Sequence, residues 1–187
     1  MRIVVSGTHA SGKSTLVSDF ALLYPAFSVL PDPFELIDEA WDGPGASSFA
    51  RQLRLSAARL DPTETPGDLI AERGPIDFLA YLLAFDALDR MPESPGLLAR
   101  SAEVTRDALR HVDLVVLLPL APADGISIGV DEDPALRDAM NDALLDLVND
   151  DDIVDEGVTV MEITGDRDRR LRMLQAVVGD LSRRSTP

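Results

Sequence analysis

Lys13 is the only lysine of this chain; the rest of its seventeen basic residues are arginine. It sits in the run Gly7-Thr8-His9-Ala10-Ser11-Gly12-Lys13-Ser14-Thr15, where a glycine, four residues and then Gly-Lys-Ser give the spacing of a loop that wraps a polyphosphate. The chemistry of such a loop is electrostatic. Its backbone N–H groups and the positive end of the following helix converge on one point, which suits an anion of high charge density. Lysine has a particular use there. Its ammonium is a compact charge on a flexible stem, able to reach between neighbouring phosphates where a planar guanidinium would not fit.

Phosphate chemistry also needs groups that hold a metal ion and orient an acceptor, and the chain offers acids at the right places. Asp32 stands between two prolines after an apolar run, Glu72-Arg73 follows another (LIAERGPID), and Asp166 follows a third with Gly165. An acid at the end of a strand beside a phosphate loop is positioned to hold magnesium or its water. Asp32 and Glu72 are therefore both candidates for this role, beside the Ser14 hydroxyl of the loop. Local alternatives stand beside these readings. An Asp flanked by prolines is also favoured simply as a turn residue, and Glu72-Arg73 also reads as an exposed, weak ion pair at a strand end.

These residues require an alternation of strands and helices. Arg2 to Ser6 is a buried strand leading into the loop, and 14–23 is the helix that leaves it, with apolar residues at 16, 17, 20 and 23. Further strands are expected at 27–30, 68–71, 113–118 and 158–163, and helices at about 34–42, 46–60, 75–90, 95–111, 134–149 and 167–179. Asp133 reads as the N-cap of the fifth of these helices, with Pro134 at its first position. The pattern predicts an α/β fold of three layers, α/β/α, around a five-stranded, mostly parallel sheet. One domain over 1–187 is the economical organisation, with a helical substrate segment at about 33–60 and a lid-like segment at about 119–137.

Composition narrows the function. The formal charge is −16, so most of the surface repels polyanions and a nucleic-acid partner is disfavoured. A small nucleotide remains admissible, because the loop and a magnesium ion supply local positive charge. No apolar run approaches the roughly 18 residues of a membrane span, no signal-peptide pattern is visible, and cysteine is absent. The expectation is a cytoplasmic protein without a membrane partner.

GTHASGKST, PDPFE and AERGPID together resemble the nucleoside and nucleotide kinase branch of P-loop proteins, and the chain also resembles bacterial AAA-family ATP-binding proteins. The resemblance implies the sheet order 2-3-1-4-5 and the use of ATP and Mg2+. It implies that Asp32 activates the acceptor hydroxyl and that Glu72 and Arg73 serve magnesium and phosphates, although Gly74 stands where the pattern has serine. Gln52, in SFARQLRLSAARL, is similar to a base-contacting glutamine, though it also reads as part of a solvated helix face. EITGDRDRRL, with Asp166, is similar to the segment that cradles adenine. The lid departs from the family: residues 119–136 hold no basic residue and four acids, leaving Arg137 as the local cation. Those acids read as a solvated loop or as a site for a cationic acceptor.

Three readings follow. The first is an ATP-dependent phosphotransferase acting on a hydroxyl of a nucleoside-like or other small metabolite, with Lys13, Asp32, Glu72, Arg73 and Arg137 as the working residues. The second is a nucleotide hydrolase, and the third a nucleotide-dependent binding protein whose helices at 75–111 dock a partner. The oligomeric state stays open, a homodimer included.

Overall fold

The computed structural model describes residues 1–36, 45–91, 94–120 and 133–184. Its elements, in chain order, are β1 (Arg2–Ser6), α1 (Lys13–Leu23), β2 (Ser28–Leu30), a 3-10 turn (Pro33–Leu36), α2 (Ala46–Arg59), β3 (Leu69–Glu72) and α3 (Pro75–Ala87). They continue with α4 (Leu97–Leu109), β4 (Leu114–Leu117), α5 (Pro134–Leu147), β5 (Thr159–Glu162) and α6 (Arg167–Arg184). The strands form one sheet of order β2-β3-β1-β4-β5, and all four pairings are parallel.

Alternation along β1 divides the core. Ile3 and Val5 point to one face, where Leu16, Val17 and Phe20 of α1 and Leu174, Val177 and Val178 of α6 cover them. Val4 points to the other, under α2, α3, α4 and α5. Each fully buried Leu, Ile or Phe contributes roughly 1.5–3 kcal/mol through burial, and α3 hides nearly every side chain, from Pro75 to Phe85. That helix is the spine of the second layer, packed against α2, α4 and α5.

Register fixes where the chemistry falls. Val5 pairs with Glu72 and with Val116, so the carboxyl ends of β1, β3 and β4 lie level. Leu30 pairs with Ala71, which brings Asp32 just beyond β2 to the height of Arg73. The sheet thus presents the phosphate loop, Glu72-Arg73 and Asp32 at one edge, where open parallel sheets bind ligands.

Several expectations are adjusted. The helix expected over 34–42 is, in its described part, a single 3-10 turn, because the Asp32 carboxylate accepts the Phe34 N–H at 3.1 Å and Asp32 O accepts from Glu35 N. Residues 37–44 of that segment, and 121–132 of the lid-like segment, lie outside the described residues. The last helix runs to Arg184, since Leu174, Val177 and Val178 keep it on the sheet. The expected cap at Asp133 is present, accepting from Leu136 N at 3.1 Å. No helix among the described residues is long and apolar enough to cross a membrane.

Candidate active site

The candidate phosphate loop runs from Gly7 to Lys13 and is held tightly. A Cβ at Gly7 would lie 2.7 Å from both Leu118 O and Ser11 Oγ, so only glycine fits that entry. Ala10 adopts a left-handed backbone, φ 52°, and Arg73 does so across the cavity, φ 64°. Non-glycine residues in that region carry strain of order 1–3 kcal/mol, which persists where surroundings enforce it.

Asp77 ties down the loop entry and the residue after Arg73. Its fully buried carboxylate accepts from Ser6 Oγ at 2.8 Å, Gly7 N at 2.9 Å and Gly74 N at 2.9 Å, stitching the start of the loop to the start of α3. Burial pushes its carboxyl up from the ordinary value, against the pull of Arg73, the two amides and Lys13. Gly74 has its own reason. A Cβ there would come 2.6 Å from Val4 Cγ1, so the serine of the resembling pattern could stand here only if the buried Val4 side chain shifted.

Lys13 is buried, with Nζ 2.6 Å from Thr8 O. Desolvation and the nearby Arg73 charge lower its ammonium to about 7, while Asp77, Asp32 and Glu72 oppose the shift. Ser14 Oγ donates to Glu72 Oε1 at 2.6 Å, so the two candidate metal ligands already form a pair. Burial raises the Glu72 carboxyl, against the hydrogen bond from Ser14 and the charge of Lys13. Among the described residues no group of three or more His, Cys, Asp or Glu is placed to hold a metal ion by itself. The Ser14–Glu72 pair does suit magnesium, which takes few protein ligands and completes its shell with phosphate oxygens and water.

Arg73 links several of these groups. It is 3 % exposed, its Nε donates to Asp32 Oδ2 at 2.7 Å and its Nη1 to Gly7 O at 3.1 Å. Its guanidinium lies 5.4 Å from the Phe34 ring centre and 5.6 Å from that of Tyr81. Phe49 stacks on Tyr81 with centroids 4.6 Å apart. These rings, the loop from His9 to Ser14, Asp32, Glu72, Arg73 and Arg137 line one cavity of about 600 Å³, within the usual size of a small-molecule site.

The remaining sequence candidates lie around it. Arg137, on the first turn of α5, donates from Nε to His9 O at 3.3 Å. Gly7 and Thr8 lie beneath the cavity, buried, and Thr15 is exposed on the first turn of α1. Gln52 is 1 % exposed, which removes the solvated-face reading, and neither its Oε1 nor its Nε2 has a hydrogen-bond partner among the described residues. Asp166 does not line the cavity; its Oδ1 accepts Arg169 N at 2.8 Å at the start of α6. Asp77 and Arg170 join the site only in the folded chain. Asp77 carried a legible signal, an acid three residues after a helix start of the form Gly-Pro, whereas Arg170, whose Nη1 donates to Ser11 O at 2.7 Å, is indistinguishable from its neighbours in RDRRLR.

The three-layer architecture, with a phosphate loop leaving its central strand, is that of the P-loop kinase folds. No family model matches the chain, and no curated protein does. Among solved structures, thymidylate kinase from Candida albicans superposes with a TM-score of 0.68 at 14 % identity, covering 97 % of this chain and 92 % of that one. Deoxyadenosine kinase from M. mycoides, with products dCMP and dCDP, gives 0.64 at 11 %, covering 96 % and 100 %. The NadR protein in complex with NR gives 0.65 at 17 %, covering 96 % of this chain but half of that one.

Proposed function

We propose that this protein is an ATP- and magnesium-dependent phosphotransferase acting on a hydroxyl of a nucleoside-like or other small metabolite. The observation that carries the reading is the single cavity in which the phosphate loop, the Ser14–Glu72 pair and the Asp32–Arg73 pair meet an aromatic wall. The fold shared with kinases of nucleosides and nucleotides supports it.

Lys13 and the loop amides hold the terminal phosphates, with Lys13 leaving Thr8 O to do so. Ser14 and Glu72 would hold magnesium, which would neutralise charge on the phosphate oxygens. Asp32 orients the acceptor hydroxyl and takes its proton late in the transfer. Arg73 and Arg137 offset charge on the transferred group, Arg137 from the lid-like side. Phe34, Phe49 and Tyr81 offer apolar surface to a planar acceptor, and Gln52 offers an unused donor and acceptor one turn beyond Phe49. Because Gln52 is buried, an acceptor engages it only when the packing above it opens. Asp166 and the turn into α6 stand outside the cavity, and their assignment to the adenine rests on the resemblance of EITGDRDRRL to the adenine segment.

The test is a mass-spectrometric screen of a pooled metabolite library incubated with the protein, ATP and magnesium. The reading expects ADP together with a phosphorylated, nucleoside-like product. ADP and inorganic phosphate alone, from every pool, replace it with hydrolysis.

A further inference from the structure

Four carbonyls of the phosphate loop are each gripped by a cationic side chain. Gly7 O accepts from Arg73 at 3.1 Å, Thr8 O from Lys13 at 2.6 Å, His9 O from Arg137 at 3.3 Å and Ser11 O from Arg170 at 2.7 Å. The first three cations line the cavity, where a polyphosphate competes for them. Arg170 does not. It approaches from the first turns of α6, outside the cavity lining, and is 6 % exposed.

Its fork spans two segments. While Nη1 reaches Ser11 O, Nε donates to Gly165 O at 2.7 Å, in the turn between β5 and α6. A planar guanidinium addresses two carbonyls in fixed geometry, which a single ammonium does not. A buried charge is costly unless its donors are used, so this placement ties the two loops together strongly. Arg167, at the start of the same helix, makes a second clasp. Its Nε and Nη2 donate to Asp19 of α1 at 2.6 and 2.5 Å.

Peptide geometry turns this grip into an effect on the cavity. The bond between Ser11 and Gly12 is trans, as no cis peptide occurs among the described residues, so Ser11 C=O and Gly12 N–H point in opposite directions. Fixing the carbonyl on the α6 side turns the Gly12 N–H toward the cavity that Gly12 lines. We infer that Arg170 is a positioning residue: it presets the Gly12 N–H for a bound phosphate and couples the β5–α6 turn to the phosphate loop. The inference rests on the nucleotide-binding part of the proposed function and not on the identity of any acceptor.

The experiment is calorimetric titration of the full chain with tripolyphosphate and with ATP, for wild type, Arg170→Met and Arg170→Gln, well below each unfolding midpoint. Glutamine can still bond its own turn but is too short for Ser11 O, so it carries the test if the methionine variant does not fold. Both variants are expected to lose roughly tenfold or more in affinity for tripolyphosphate, because the Gly12 N–H is no longer preset and must be ordered on binding, and a similar factor for ATP. A folded variant with wild-type tripolyphosphate affinity overturns the inference, including one whose only change is a lower unfolding midpoint. Wild type that binds neither ligand overturns the phosphate-loop reading itself, and the inference with it.

Discussion

Asp77 offers the most quantitative test of how the loop is built. Its Oδ2 accepts from Ser6 Oγ and Gly74 N, and its Oδ1 from Gly7 N. Asparagine has nearly the same shape but one acceptor. Whichever way its amide turns, an NH2 group faces one of the two backbone N–H groups, leaving a buried donor against a donor. An orphaned buried group costs about 1–3 kcal/mol, and at this chain length each kcal/mol lowers the midpoint by roughly 2–4 °C. Asp77→Asn should therefore melt roughly 4–8 °C lower for a loss near 2 kcal/mol. Asp77→Ala orphans both amides and should lose about twice as much. Thermal unfolding followed by circular dichroism reads both. An alanine variant within about a degree of wild type, or one more stable than the asparagine variant, would refute the assignment of Asp77 as anchor of the loop.

Other outcomes follow from the same geometry. Lys13→Arg should fail to restore ATP turnover just as Lys13→Ala does, since charge without shape does not fit the buried slot; near-normal turnover of the arginine variant would make the lone lysine incidental. Glu72→Gln keeps an acceptor for Ser14 Oγ but loses the charge, so the magnesium concentration for half-activity should rise about 10–100-fold. Unchanged metal dependence would leave Glu72 a structural partner of Ser14. The hydrogen bond from Arg167 holds the Asp19 carboxyl below its ordinary value. Folding then favours the charged form, so this contribution is complete above about pH 3.9 and fades as pH falls through the lowered folded value. Urea melts should show wild type and Asp19→Asn furthest apart near neutral pH and converging in acid; a gap that widens in acid contradicts the pairing.

The strand-helix alternation was legible because each strand is a short apolar run bounded by turn residues, and the β1-loop-α1 unit because its spacing permits few alternatives. Local chemistry also exposed the Asp133-Pro134 helix start. Asp32 and Glu72 could be nominated from strand ends, yet their partners, Arg73 and Ser14, became pairs only through the parallel register of β1, β2 and β3. At Phe34–Leu36 helical periodicity meets a competing local bond: the Asp32 side chain diverts the backbone at Phe34, and the described part of that segment is a 3-10 turn. Gln52 read equally as exposed or functional, since a single polar residue on an amphipathic helix says nothing of what packs over it. Arg170 was invisible for a related reason: its work depends on a carbonyl 159 positions away in the chain.

The central claim is that the cavity passes a phosphoryl group to a positioned acceptor, with Asp32 on the acceptor side. It is tested most directly by following γ-labelled ATP with the acceptor found in the screen, and partitioning label between phosphorylated product and inorganic phosphate. Asp32→Asn keeps the bond to Phe34 N but turns an amide donor toward Arg73 Nε, leaving Lys13 and its bond to Thr8 O in place. The account predicts that this variant binds ATP like wild type and loses about 10²–10⁴-fold in transfer to the acceptor, with label released to water less affected. Full transfer by Asp32→Asn, or label found only as inorganic phosphate with wild type, would contradict it.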